Sequence, residues 1–230
     1  MSPQLLEKLM NAAAPFYADA EPAHDWQHIC RVLAYAKRIA QAEKADWEIV
    51  SAAVLLHDCI KLKPQSGQKD FSAEKSADKV GEILAGIKEF PTGKIEAVKT
   101  CVREHSFTVG ISPNTLESKI LQDADRLDST GVISVMRVFA YCGAWGGKLF
   151  SWKDPFCENG RHFDNKAIGL DWVFARLMKV SATLHTQTAK EMAREWDAHL
   201  KSFLDMCRKE IAQFDTAEML AWEAKGPRKA

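Results

Sequence analysis

The sequence is short of several features that would announce a function outright. Its six cysteines (Cys30, Cys59, Cys101, Cys142, Cys157 and Cys207) form no Cys-x-x-Cys pair. That excludes a zinc ribbon and a thioredoxin-type redox centre, and it fits reduced thiols in a cytoplasm. No apolar run approaches the ~20 residues needed to span a bilayer, and residues 1–10 lack a basic stretch followed by an apolar one, so a membrane-embedded or secreted chain is not expected. Charge of one sign is also missing: 31 Lys and Arg balance 31 Asp and Glu. Without a basic excess, a dedicated nucleic-acid-binding role is not expected. Internal repeats and strand-like alternation are absent as well.

What is present is ordinary globular material. In 230 residues, 47% hydrophobic and 27% charged, there is enough apolar surface for one sizeable core, which excludes intrinsic disorder. The periodicity is helical. From Asp25 to Glu43, Ile29, Val32, Leu33, Ala36, Ile39 and Ala40 share one face, with Asp25 placed as the N-cap. Asp46 is placed to cap a second helix whose Ile49, Val50, Ala53, Val54 and Leu56 lead into His57-Asp58 and mark it as deeply buried. Further helical patterns run over 72–85, 94–107, 115–128, 132–141 and 166–214, the last broken near Thr186. Turn signals lie at 63–67, 91–93, 110–114 and across the Gly/Pro-rich stretch 143–160, which would form either a lid over a site or a plain surface loop. The fold class is all-α: one helical domain over 1–214, with the motifs within 24–128 and C-terminal helices over 166–214, followed by a tail over 215–230.

Chemistry is expected where polar groups interrupt apolar faces, because a buried imidazole or carboxylate is costly unless it is paired or bound to metal. His57 projects beside Val50 and Val54 at about 100° per residue, with Asp58 next to it. His28 borders the stripe of Val32, Ala36 and Ile39, and Asp125 and Asp128 flank Leu121 and Ala124. Imidazole nitrogen and carboxylate oxygen together suit one divalent cation: Mn, Fe, Co, Ni, Zn or Mg. His24 and His28 stand four apart, but no glutamate follows His24 as in a zinc-protease helix.

The order His28, His57-Asp58, Asp125 resembles the HD-domain metal-dependent phosphohydrolase superfamily, an all-α fold. The stretches His24-Asp-Trp-Gln-His-Ile-Cys-Arg-Val32, Leu55-Leu-His-Asp58, Glu104-His-Ser-Phe107 and Ile120-Leu-Gln-Asp-Ala-Asp-Arg-Leu-Asp128 are similar to a bacterial branch containing nucleoside-triphosphate pyrophosphohydrolase-like proteins. His162-Phe163, Lys166 and 186–203 resemble that branch's C-terminal helices, although Trp196-Asp-Ala-His199 departs from its pattern. The resemblance implies His28, His57, Asp58 and Asp125 as metal ligands, with Asp123 and Asp128 left to surface or supporting hydrogen bonds. Helical angle does not choose among the three aspartates.

A metal-dependent hydrolase of phosphate esters or anhydrides follows, most sharply one that releases pyrophosphate from a nucleoside triphosphate. The alternatives are a nucleoside monophosphatase, a phosphodiesterase, or a metal- or nucleotide-binding module without turnover. Asp58, His105 and Arg126 are the expected catalytic groups, and Arg31, Lys61, Arg103 and Arg126 the cations for an anionic substrate. Between Asp58 and Asp125 the chain holds one histidine, His105, where dinuclear members carry two more, so a single ion is expected. The partner is a small phosphorylated molecule, a nucleotide by preference; the sequence leaves the oligomeric state open, a homo-oligomer included.

Overall fold

A computed structural model describes residues 1–20, 24–61, 71–106 and 110–226. The turn expected at 63–67, Phe107 and the last four residues lie outside the described residues. The fold is all-α. Among the described residues there are ten α-helices and four short 3-10 turns, and the β structure is one isolated parallel bridge between Lys148 and Ile168. None of the described helices is long and apolar enough to cross a membrane.

The described residues group into two compact units. The first comprises Met1–Asp128 with Thr183–Met192 and holds α1 (Pro3–Ala13), α2 (Trp26–Glu43), α3 (Trp47–Leu56), α4 (Ser72–Ala85), α5 (Ile95–Glu104) and α6 (Leu116–Leu127). Asp25 caps α2 by accepting from the His28 amide at 2.9 Å, and Asp46 caps α3 through the Glu48 and Ile49 amides at 3.0 and 3.4 Å. Helix α3 packs against α1, α2, α5 and α6, and Val50 through Leu56 expose no surface. Each fully buried Val or Leu there contributes about 1.5–3 kcal/mol, so the helix end that delivers His57-Asp58 is rigidly placed. Two polar contacts fix it further. The buried Tyr17 hydroxyl donates to the Leu55 carbonyl at 2.9 Å, and Ser76 Oγ on α4 accepts from the Ile60 amide and donates to the Ile60 carbonyl at 3.1 and 3.2 Å.

The second unit comprises Ser129–Ala182 and the residues from Ala193 onward. It holds α7 (Gly131–Ala144), α8 (Gly169–Ala175), the C-terminal part of α9 (Gln187–Ile211) and α10 (Thr216–Glu223). Its core joins Val135 and Val138 of α7, Leu170 and Val173 of α8, Leu177, and Leu200 and Leu204 of α9. Within the stretch 143–160 and just beyond it, the backbone is braced locally. Asp154 accepts from the Glu158 and Asn159 amides, and Arg161 forks onto buried Asp171 at 2.5 and 2.8 Å.

The helical pattern over 166–214 resolves differently from the expectation. It becomes α8, two 3-10 turns (Leu177–Lys179 and Ser181–Thr183) and α9, because Arg176 leaves the helical region at φ −123° and buried Asp123 accepts from the His185 and Thr186 amides at 2.8 and 2.7 Å. Those amides are committed to starting α9. The C-terminal stretch from 215, read as a tail, begins with Asp215 capping α10.

Gly131 opens α7 at φ +70°, and a Cβ there would stand 3.1 Å from Trp196 Cβ. Gly131→Ala should therefore destabilise the chain by about 1–3 kcal/mol, combining left-handed backbone cost with the contact. Urea titration should read it as a lower midpoint; an unchanged midpoint would show that α7 re-enters its helix without strain.

Candidate metal centre

Two of the site histidines end helices. His57 is the C-cap of α3 and His105 the C-cap of α5, and each turns its Nδ1 back onto the carbonyl three residues earlier: Val54 at 2.7 Å and Val102 at 2.6 Å. Those carbonyls belong to the last helical turn, which lacks intrahelical partners. A carbonyl only accepts, so Nδ1 carries the proton in the neutral ring and Nε2 keeps its lone pair. His28, in the first turn of α2, is held by a carboxylate: Nδ1 lies 2.7 Å from Asp128 Oδ2.

The three Nε2 atoms converge. His28 and His57 rings lie 5.9 Å apart, and His57 and His105 rings 5.0 Å apart. His28 Nε2 is 3.5 Å from Asp125 Oδ1, and His105 Nε2 is 3.4 Å from Asp58 Oδ1. Ligand atoms of His28, His57 and Asp125 all fall within 4.8 Å of one another, as do those of His57, Asp58 and His105. Both histidines at the centre are buried, and the Nε2 atoms of His28 and His57 make no hydrogen bond. A buried polar nitrogen left in that state is unfavourable unless something with an empty orbital faces it. These donors therefore fit a divalent cation, and with two carboxylates they neutralise its charge.

The electrostatics agree. Burial foremost, and then His105 and His28, push His57 down to about 4 against the pull of Asp58, so its imidazole is neutral at pH 7. Burial would raise the Asp58 carboxyl, yet His57, His105 and Lys61 together hold it well below the usual carboxylate range. For His105 burial lowers the pKa, but the hydrogen bond and charge of Asp58 prevail and raise it.

Of the three aspartates, the fold separates the roles that helical angle left open. Asp125 faces the cluster. Asp123 is buried rather than at the surface and faces away from it, accepting from the His185 and Thr186 amides and the Thr186 hydroxyl. Asp128, also buried, C-caps α6 and supports His28.

The cations divide as well. Lys61 Nζ lies 3.4 Å from Asp58 Oδ2 and 3.4 Å from the His24 carbonyl, at the cluster. Arg31, expected at substrate, instead forks onto Asp128 through Nε at 2.7 Å and Nη2 at 3.1 Å. Arg126, expected on the phosphate side, sends Nη1 to the Thr183 carbonyl at 2.5 Å and lies 3.1 Å from His185 Nε2. The reason is that one helical step past Asp125 turns its guanidinium toward the segment before α9. Arg103 is half exposed and 3.9 Å from Asp78 of α4.

Sequence reasoning passed over two supporting residues. Gln122 donates to the Glu104 and Ile111 carbonyls, and buried Glu104 accepts from the Asn114 amide and side chain; together they fix the chain on both sides of His105. Their only sequence signal was a polar residue on an otherwise buried helical face.

Residues 25–130 match the HD domain family. YpgQ of Bacillus subtilis is 28% identical over 221 residues, covering 91% of this chain and 95% of its own. Its crystal structure in complex with ADP superposes with a TM-score of 0.69 at 25% identity over 90% of this chain and 97% of that one. An HD-superfamily hydrolase from Bacillus thuringiensis gives 0.67 at 25% identity over 90% and 96%. Helical scaffold, motif order and matched residues agree: the chain carries an HD domain over residues 25–130, on the fold of the HD-superfamily hydrolases.

Proposed function

We propose that the chain hydrolyses a nucleoside triphosphate to the monophosphate and pyrophosphate, with one divalent cation held by His28, His57, Asp58 and Asp125. The observation that carries this reading is the pair of buried, unbonded Nε2 atoms facing two carboxylates within an HD domain. The nucleotide is supported by the ADP complex of YpgQ.

A cation in that donor set supplies Lewis acidity toward a phosphoryl oxygen and lowers the pKa of attacking water. The chain's own groups do the rest. His57 presents its lone pair without needing to lose a proton near neutral pH, and His28 turns Nε2 to the same cluster. Asp58 and Asp125 cancel the charge of the ion, so an incoming polyphosphate meets a nearly neutral centre rather than a negative one. Lys61, anchored beside Asp58, offsets phosphate charge. His105, its Nδ1 held by Val102, keeps Nε2 as the atom that gives or takes a proton, and Asp58 stabilises its charged form.

A count of one ion is supported by the sharing of His57. Its Nδ1 is committed to Val54, so both donor triads must draw on the same Nε2, and a single nitrogen lone pair holds one cation. Elemental analysis after loading with excess Mn2+ should give about one ion per chain; two tightly held ions would overturn this count.

Incubating metal-loaded protein with nucleoside triphosphates and separating the products tests the reaction. Pyrophosphate with monophosphate supports it. Orthophosphate points to a phosphatase instead, and retention of nucleotide without product points to a binding module.

Substitutions separate the roles. His57→Ala and Asp58→Ala should lose the ion and at least ~100-fold in turnover with helicity kept. Asp123→Ala should keep the ion but lose about 1–3 kcal/mol of stability, because it strands buried amides. Metal content that is unchanged in the first pair, or lost in Asp123→Ala, would sink the assignment. His105→Ala should keep the ion and lower kcat by ~100-fold or more as a proton carrier. Lys61→Ala should raise KM about 10-fold, and wild-type kinetics in either variant would remove that residue from the site.

A further inference from the structure

The candidates outside the metal cluster differ in how much they carry. The exposed apolar face of α7 (Val132, Ile133, Met136) has nothing that identifies an occupant. The Asp154, Arg161 and Asp171 knot has its groups satisfied by one another. Behind His28 the observations go further.

We propose that Arg31 is a positioning residue: by forking onto Asp128 it fixes the carboxylate that holds the back of the His28 ring, and so aims His28 Nε2 into the cluster. The inference rests on the reading of His28 as a metal ligand, and it reassigns Arg31 from substrate binding to metal-site support.

The geometry is a closed fork. Arg31 stands one turn after His28 on α2, so the two side chains leave the same helix face. Both end on one carboxylate: Asp128 Oδ1 accepts from Arg31 Nε at 2.7 Å, and Oδ2 takes both Arg31 Nη2 at 3.1 Å and His28 Nδ1 at 2.7 Å. The Asp128 side chain has no exposed surface, whereas Arg31 keeps 23%. The bidentate guanidinium fixes the plane of this enclosed carboxylate, so that Oδ2 meets His28 Nδ1 while the ring presents Nε2 toward Asp125 and the cation position. Without Arg31 the carboxylate loses two of the contacts that fix its rotation, and the His28 ring loses a firmly held acceptor behind it. Lysine preserves the charge but not the fork, so it should restore part of the effect.

A purely structural clamp between α2 and α6 would produce loss of stability but not these consequences. Metal-free wild type, Arg31→Gln, Arg31→Lys and Asp128→Asn should be titrated with Mn2+ by calorimetry, with 15N NMR of the imidazoles and thermal midpoints recorded on the same samples. We expect Arg31→Gln to weaken Mn2+ binding by about 10–100-fold and to shift the His28 ring 15N resonances as the ring loses its fixed acceptor. Arg31→Lys should recover part of both, and Asp128→Asn should weaken binding with the fold retained. KM for a nucleoside triphosphate at saturating Mn2+ should stay within about twofold of wild type in Arg31→Lys. Unchanged Mn2+ affinity and unchanged His28 resonances in both Arg31→Gln and Asp128→Asn would overturn the proposal, whatever the midpoints do. A raised KM with unchanged Mn2+ affinity would return Arg31 to the substrate. Wild type that binds no Mn2+ would instead overturn the metal centre itself.

Discussion

A protonated Nδ1 tied to an acceptor behind the ring is the constraint on which the site depends. His57 and His105 use the same device twice: each closes a helix, and each donates to the carbonyl three residues back. One hydrogen bond thus satisfies a helix-end carbonyl that would lack a partner, locks the ring against rotation, and fixes the tautomer that aims Nε2 forward. His28 reaches the same state from the other end of a helix, with Asp128 in place of the carbonyl. Burial then makes the arrangement one-sided. With the His57 ring neutral and its back occupied, its Nε2 lone pair has nowhere to be satisfied except by a cation placed beside it.

The scaffold explains why helix ends, rather than helix faces, carry this chemistry. Helix α3 is enclosed over its last two turns and cannot present a ligand sideways without breaking its packing. At its C-terminus the chain leaves the helix, and Tyr17 and Ser76 hold the backbone on either side of His57-Asp58. The same logic places His105 just past α5, with Glu104 and Gln122 pinning the residues around it. These buried polar contacts hold the backbone that carries the ligands, which is why the supporting groups should matter for metal affinity.

Local features of the sequence were legible and long-range ones were not. The caps at Asp25 and Asp46, the buried α3 and the helical character of the chain all follow from side chains within a few residues of one another. The order His28, His57-Asp58, Asp125 could be recognised, but periodicity alone could not tell Asp123, Asp125 and Asp128 apart, because all three lie near the edge of one stripe. Their fates were decided by partners far along the chain: the amides at 185 and 186 for Asp123, and Arg31 for Asp128. The same distance hid the destinations of Arg31 and Arg126, which from sequence were simply cations beside a motif. Helical periodicity also ran on through 166–186, since it does not register a backbone amide being claimed by a buried carboxylate elsewhere.

The reassigned arginines change the charge balance that a substrate would meet. Asp128 and Arg31 cancel each other behind His28, and the Arg126 guanidinium is turned to the Thr183 carbonyl. Of the described cations named from sequence, Lys61 is the one whose charge lies against a cluster carboxylate. On the proposed reading, neutralisation of a bound phosphate at this cluster would fall to the divalent ion and Lys61, with His105 contributing when protonated. Such a centre would depend on its cation for substrate binding as well as for chemistry: without the ion, Asp58 and Asp125 would repel a polyphosphate that Lys61 alone would offset only in part. Metal and nucleotide affinities should accordingly be coupled, each strengthening the other by the same factor.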